Sequence, residues 1–357
     1  MTGIALAGPP IHIVRKNPPA VAGGAARTPV NDAGTPECNP SPCDPNTMLD
    51  IEYFGGKVIP NVKVYAVFWT SGVDSTTQNQ IGPFYQALTN SNWMDWLNEY
   101  STAGINGGSN QLIGRGTYAG AYTITPSTVA HICVVDSQGA FPPMGTICIW
   151  DIDIPTAIDA QINAGHLPLP DQHTIYMVHF PATYEIQSAD RGANISDSCV
   201  QYCAYHSTYT RNGFGSVYYA VLPDHTSTPC ALGCGIGTAF QNLCSSASHE
   251  IGEGITDAEV GIGTAIASPL AWYDNGSNSQ GEIGDMCNQV SETITSLGGT
   301  QYTVQDLFSK KIWDLNRKVT TQACVATRLD VNDFKIFFNP NTQSLGAGDS
   351  GSIPIHL

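Results

Sequence analysis

Val62-Lys63-Val64-Tyr65-Ala66-Val67-Phe68-Trp69 alternates in polarity and is dense in β-branched and aromatic residues, the pattern of a strand packed on a pleated surface. Working outward from it, Phe84, Tyr85, Leu88, Trp93, Trp96 and Leu97 recur at helical spacing and read as core packing. Further strands are expected at Val129 to Val135, Thr174 to Phe180 and Ser216 to Leu222, with a helix at Pro155 to Ala164 between the first two. Strands that alternate with helices predict an α/β or α+β domain, a mixed β-sheet covered by helices. No internal repeat of solenoid length is present.

Residues 1–48 carry nine prolines among Gly, Ala and Asn without a hydrophobic period. They cannot bury enough surface to fold alone and read as a leader, propeptide or linker. Residues 49–357 read as a single domain with a C-terminal tail. Met1 to Pro10 lacks the charged start and long apolar run of a signal peptide, so a trimmed form is expected. No stretch approaches the ~20 apolar residues of a membrane span.

The formal charge is 14 Lys+Arg against 30 Asp+Glu, or -16, and no basic run could track a phosphate backbone. Nucleic acid is therefore excluded as an expected partner. Only 12% of residues are charged, which leaves solubility to neutral polar side chains, as in many extracellular proteins. Eleven cysteines point the same way, and four close pairs, Cys38/Cys43, Cys133/Cys148, Cys199/Cys203 and Cys230/Cys234, have the short spacing that disulfides close. Spacing alone leaves the connectivity open. An odd count leaves at least one thiol free, metal-bound or intermolecular unless a partner cysteine was removed with a leader.

The chemistry concentrates in Phe240 to Thr256. At about 100° per residue, Phe240, Leu243, Cys244, Ala247, Ile251 and Ile255 share an apolar face. His249, Glu250, Glu253 and Asp257 fall on the other side, a layout expected to line a cleft. Gly252 and Gly254 weaken a helix, so their presence predicts close packing or the close approach of another group. One helical turn separates His249 from Glu253, so an imidazole nitrogen and a carboxylate oxygen can converge on one cation. In H-E-x-x-H peptidases two histidines bind zinc and the glutamate takes a proton from the attacking water; here Glu253 replaces the second histidine.

Downstream, Gly281-Glu282-Ile283-Gly284-Asp285-Met286-Cys287 supplies two more carboxylates. A hydrolytic zinc site needs three protein ligands, and Glu282 is the expected third, with Asp285 orienting His249 from behind. Asp257 and Asp274 are ranked below Glu282 as ligands or supporting groups. Glu250 is the expected general base, and His206, Tyr273 and His225 are candidate donors to the developing oxyanion by residue type. The expectation is a secreted, monomeric, zinc-dependent hydrolase with a zincin-like active-site helix and a polypeptide substrate. The rival is a non-enzymatic wall protein, glycan-binding in one form, whose carboxylates hold structural calcium. Calcium prefers six to eight oxygens and has little use for His249.

The chain resembles the EXORDIUM / phosphate-induced protein family, in the microbial branch that carries an H-E-x-x-E segment. The resemblance spans roughly residues 50 to 325. It rests on Ile51-Glu52-Tyr53-Phe54-Gly55-Gly56-Lys57-Val58 leading into Val62 to Trp69, and on Tyr118-Ala119-Gly120-Ala121-Tyr122. Ser248 to Asp257, Ala271 to Asp274, Glu282 to Cys287, and Ile312-Trp313-Asp314 before Cys324 complete it. The resemblance implies a secreted or wall-associated protein. Plant members lack the H-E-x-x-E residues that this chain keeps, which implies catalysis here.

Overall fold

A computed structural model describes residues 51–127, 131, 147–187, 197–200, 202–226, 230–260, 269–274, 281–315 and 323–327. The chain divides into two compact units, Met1–Thr327 and Arg328–Leu357, and all described residues lie in the first. The Pro-rich leader, the C-terminal tail and, His131 aside, the strand expected at Val129 to Val135 lie outside them.

The strands in chain order are β1 (Ile51–Tyr53), β2 (Lys63–Phe68), β3 (Thr117–Thr123), β4 (Ile147–Trp150), β5 (Thr174–His179), β6 (Tyr184–Gln187), β7 (Tyr205–Arg211), β8 (Gly215–Leu222), β9 (Trp272–Asp274), β10 (Ser291–Thr295), β11 (Gln301–Gln305), β12 (Leu307–Phe308) and β13 (Cys324–Val325). The helices are α1 (Ser75–Thr89), α2 (Asn92–Asp95), α3 (Asp153–Asn163), α4 (Cys230–Gly233), α5 (Ala239–Thr256) and α6 (Lys310–Leu315).

One five-stranded sheet, ordered β3-β2-β5-β8-β7, organises the domain. Its first four strands are parallel and β7 is antiparallel to β8. The mixed sheet expected from the sequence is thus present, and β2, β5, β8, α3 and α5 lie where periodicity put them. The helical stretch expected over Phe84 to Leu97 is broken: α1 ends at Thr89, Ser91 caps α2, and Trp96–Tyr100 tightens into a 3-10 turn.

Side-chain alternation divides the core. Val64, Ala66, Ile175, Met177 and Ala220 face α1 and α5, whereas Val67, Tyr176, Val178 and Val221 face Ile154, Ile158 and Ile162 of α3. Central β5 is buried along its whole length, as expected for a parallel strand covered on both faces. Helix α5 starts on a capping box between Thr238 and Gln241. Gly252 admits Leu307 and Trp93, and Gly254 admits Ile175 and approaches His206, so both glycines serve the close packing their positions foretold.

The disulfides run across the expected short pairs. Cys199 bonds Cys230 and Cys203 bonds Cys234, each across 31 residues, so the short Cys199/Cys203 and Cys230/Cys234 loops are not the ones closed, and the connectivity that spacing left open is given by the fold. Loops of this length confine the unfolded chain by about 3–4 kcal/mol for a single bridge, more than the three-residue loops would. Cys287 bonds Cys324, Cys148 is also disulfide-bonded, and the buried Cys244 is a free thiol. Cys38, Cys43 and Cys133 lie outside the described residues. Among the described residues no helix is long and apolar enough to cross a membrane.

A buried acid pair sits away from α5. Gln187 Nε2 donates to Asp197 Oδ1 at 2.6 Å, and Glu185 lies beside that carboxylate. Burial, then the Asp197 charge and a hydrogen bond shared with it, raise the Glu185 carboxyl to about 8. Between the unfolded carboxylate range and about 8 the folded chain keeps a proton that the unfolded chain has released, so stability falls as pH rises through that window. Glu185→Gln is expected to stabilise the fold above pH 8 by on the order of 2–4 kcal/mol and to change little below pH 4. Denaturant melts across this range check it; a difference independent of pH contradicts the assignment.

Candidate metal centre

Three segments converge on one buried cluster. Edge strand β7 pairs His206 with Ala220, which faces α5, and that register turns the imidazole toward the helix. Two residues on, Thr208 Oγ1 donates to Ala258 O at 2.6 Å and ties the strand to the end of α5. Successive turns of α5 present His249, Glu250 and Glu253. The Glu282 to Cys287 turn closes the third side, held by the Cys287–Cys324 bridge and by Phe308 N donating to Ile283 O at 2.8 Å.

His249, Glu250, Glu253 and Glu282 are each 0% exposed. The expectation of an open helix face lining a cleft is therefore corrected, because the sheet edge and the 281–287 turn cover that face. His249 Nε2 lies 3.0 Å from Glu253 Oε2 and 3.8 Å from Asp285 Oδ1. His206 Nδ1 lies 3.2 Å from Glu250 Oε2 and 3.6 Å from Glu253 Oε2, and its Nε2 lies 3.7 Å from Glu282 Oε2. Two ligand sets able to hold a metal ion follow, His249/Glu253/Asp285 and His206/Glu250/Glu253, with Glu253 common to both. Glu282, expected as the third ligand beside His249, stands instead against His206.

Glu253 is positioned by the backbone. Its Oε1 accepts from Gly284 N at 3.1 Å and Asp285 N at 3.0 Å, which leaves Oε2 aimed at both histidines. A Cβ at position 284 would lie 2.7 Å from His249 Nδ1 and 2.8 Å from Glu253 Oε1, so only glycine lets the turn come this close. Asp285 Oδ2 accepts from Glu282 N at 3.2 Å and shapes the same turn.

The electrostatics are those of a crowd of acids out of water. Burial, then Glu253, Asp257, Asp285 and Glu250, push the Glu282 carboxyl well above its ordinary range. Burial raises Glu250 too, against the lowering effect of His249. Burial pulls the His249 imidazole down, but Glu253, Glu250 and Asp285 outweigh it and hold the ring at about 10. A bound cation would stabilise such a cluster of carboxylates. His249 Nδ1 and Glu250 Oε1 also make no hydrogen bond among the described residues, although both are fully buried. Donor atoms 3.0–3.8 Å apart are spaced as ligands sharing one ion at about 2.1 Å would be. The residues fit a metal.

The other expected participants lie around this centre. Asp257 closes α5 and its Oδ1 accepts from Ala271 N at 2.8 Å, anchoring the segment that leads into β9. Asp274 is buried at the end of β9 opposite Ile51, and half-buried Tyr273 pairs with Glu52. His225 is bonded to Pro223 O at 2.9 Å and to Ser246 Oγ at 3.1 Å, a structural linkage to α5. A further grouping, His225 with Cys230 and Cys234, holds both cysteines in disulfides and so presents no thiolate. His206 was legible only by residue type, whereas the structure makes it a centre of the cluster. No family model, no curated protein and no solved structure matches this chain.

Proposed function

We propose that the chain is a secreted, zinc-dependent hydrolase that acts on polypeptides. The observation that carries this reading is the convergence of His206 and His249 with Glu250, Glu253, Glu282 and Asp285 in a fully buried cluster. Imidazole among the donors favours zinc over calcium or magnesium, which take oxygen alone. Zinc bound here supplies Lewis-acid polarisation of a scissile carbonyl. His249 and Glu253 would hold it, with Asp285 or His206 completing the set. Glu250, within 3.2 Å of His206 Nδ1, takes the proton of the attacking water and returns it to the leaving amine.

Strand β7 is the edge of the five-stranded sheet and carries His206 into the cluster, and the H-E-x-x-E spacing of α5 is that of the H-E-x-x-H helix of zinc peptidases with Glu253 in place of the second histidine. Secretion is supported by the disulfides and by the resemblance to the EXORDIUM / phosphate-induced family. Elemental analysis of the purified protein tests the centre. About one zinc per chain is expected, lost in His249→Ala and at least tenfold weaker in His206→Ala. Absence of zinc from the parent after reconstitution overturns the reading and leaves the non-enzymatic wall protein in its place.

A further inference from the structure

The buried cluster carries donors for more than one ion. Of the two ligand sets, His249/Glu253/Asp285 and His206/Glu250/Glu253, neither contains both histidines. Each supplies one imidazole and two carboxylates, a three-ligand shell of the kind zinc takes. An ion on the first set leaves His206 and Glu250 unused as ligands.

The joint between the sets is Glu253. Its Oε1 accepts from Gly284 N and Asp285 N, and its Oε2 faces both rings, 3.0 Å from His249 Nε2 and 3.6 Å from His206 Nδ1. A carboxylate oxygen has two lone pairs and can serve a cation on each side. The second set adds Glu250, whose Oε2 lies 3.2 Å from His206 Nδ1. Its Oε1, in a residue 0% exposed, makes no hydrogen bond among the described residues. A buried carboxylate oxygen in that position is costly unless a donor or a cation reaches it. Charge points the same way. Fully ionised, Glu250, Glu253, Glu282 and Asp285 carry four negative charges around one centre. One divalent ion offsets two of them, and a second offsets the rest.

We infer that the centre takes a second, weaker divalent ion on His206, Glu250 and Glu253, with Glu253 Oε2 bridging the two ions, and that this second ion inhibits the hydrolase. The inference rests on the zinc reading of the same centre, with Asp285 as the third ligand of the first ion. Weaker binding follows from repulsion between two cations that share one oxygen, about 3.5–4 Å apart in such pairs. The purified protein therefore keeps one ion and takes the other only when zinc is in excess. Inhibition follows from Glu250, because a carboxylate bound to a metal no longer takes the proton of the attacking water.

The test is calorimetric titration of Zn²⁺ into the full-length protein already loaded with one zinc per chain. About one further ion is expected, bound at least about tenfold more weakly than the first, and missing from both Glu250→Gln and His206→Ala. The parent loaded with two Co²⁺ should give a spin-coupled electron paramagnetic resonance spectrum, which separate surface ions do not give. Cleavage of a quenched peptide library should fall about tenfold or more as the second ion fills, and recover when a mild chelator returns the loading to one. A second binding event that persists in Glu250→Gln is an adventitious ion only and overturns the inference. So does the lack of any second event, or an uncoupled two-cobalt spectrum. Cleavage unchanged while the second ion fills means that Glu250 does not bind it, and overturns the inference as well. Two coupled ions in a protein that cuts no peptide sustain the second site and sink the hydrolase. One ion with zinc-dependent cleavage sinks the second site and spares the hydrolase.

Discussion

Glu250→Gln is expected to retain about one zinc per chain and the parent's circular dichroism while losing turnover by a factor of about 10²–10⁴. The substitution is nearly isosteric in a site that is 0% exposed, so packing against α5 is preserved. What disappears is the capacity to take a proton. Glu250 Oε2 stands 3.2 Å from His206 Nδ1 and Oε1 makes no hydrogen bond among the described residues, so one oxygen is oriented and the other is left for the reacting water. The check is parallel: zinc content by elemental analysis, and chelator-sensitive cleavage of a quenched peptide library. Turnover within about threefold of the parent removes Glu250 as the base. Loss of zinc in this variant instead makes Glu250 a ligand and favours the His206/Glu250/Glu253 set.

The strands visible in the sequence were those with an apolar signal on both faces. Lys63–Phe68, Thr174–His179 and Gly215–Leu222 lie between two helical layers, so β-branched and aromatic residues accumulate in them regardless of phase. Tyr205–Arg211 carries no such signal: Tyr205, Ser207 and Tyr209 alternate with His206, Thr208 and Thr210, and neither face reads as core. Yet this strand delivers His206. Its polar face is buried because it meets the polar face of α5, and hydrophobic periodicity is blind to two hydrophilic surfaces that satisfy each other.

The same blindness explains the expected cleft. Reading α5 as amphipathic assigns His249, Glu250 and Glu253 to solvent, whereas fourteen of the helix's residues are buried, these three included. Local spacing of H-E-x-x-E was informative because a helix converts it directly into geometry. The partners from Glu282 to Cys287 were legible as carboxylates, but their order of approach was not. That order depends on the turn around Gly284 and on a bridge from Cys287 to Cys324, 37 residues away. Disulfide pairing stayed open for a related reason, since spacing does not reveal that the fold brings Cys199 to Cys230 and Cys203 to Cys234.

Gly284→Ala should therefore damage the centre directly, through contact with its ligands. The added Cβ falls 2.7 Å from His249 Nδ1 and 2.8 Å from both His249 Cε1 and Glu253 Oε1, inside contact distance for three atoms that the core prevents from moving away. Relief requires the 281–287 turn to retreat. Gly284 N and Asp285 N then withdraw from Glu253 Oε1, and the carboxylate loses the two donors that aim its other oxygen at both histidines. Zinc affinity is expected to fall about 10–100-fold, the scale seen when groups supporting metal ligands are removed, with stability lower by about 1–3 kcal/mol from overpacking. Gly72→Ala is the control, since its nearest neighbour would be Thr70 Oγ1 at 3.3 Å, far in sequence from the centre. Competition titration with a chromophoric zinc chelator reads the affinity directly. Unchanged zinc binding in Gly284→Ala means that the ligand set excludes both His249 and Glu253, and the centre must then be rebuilt around His206, Glu250 and Glu282.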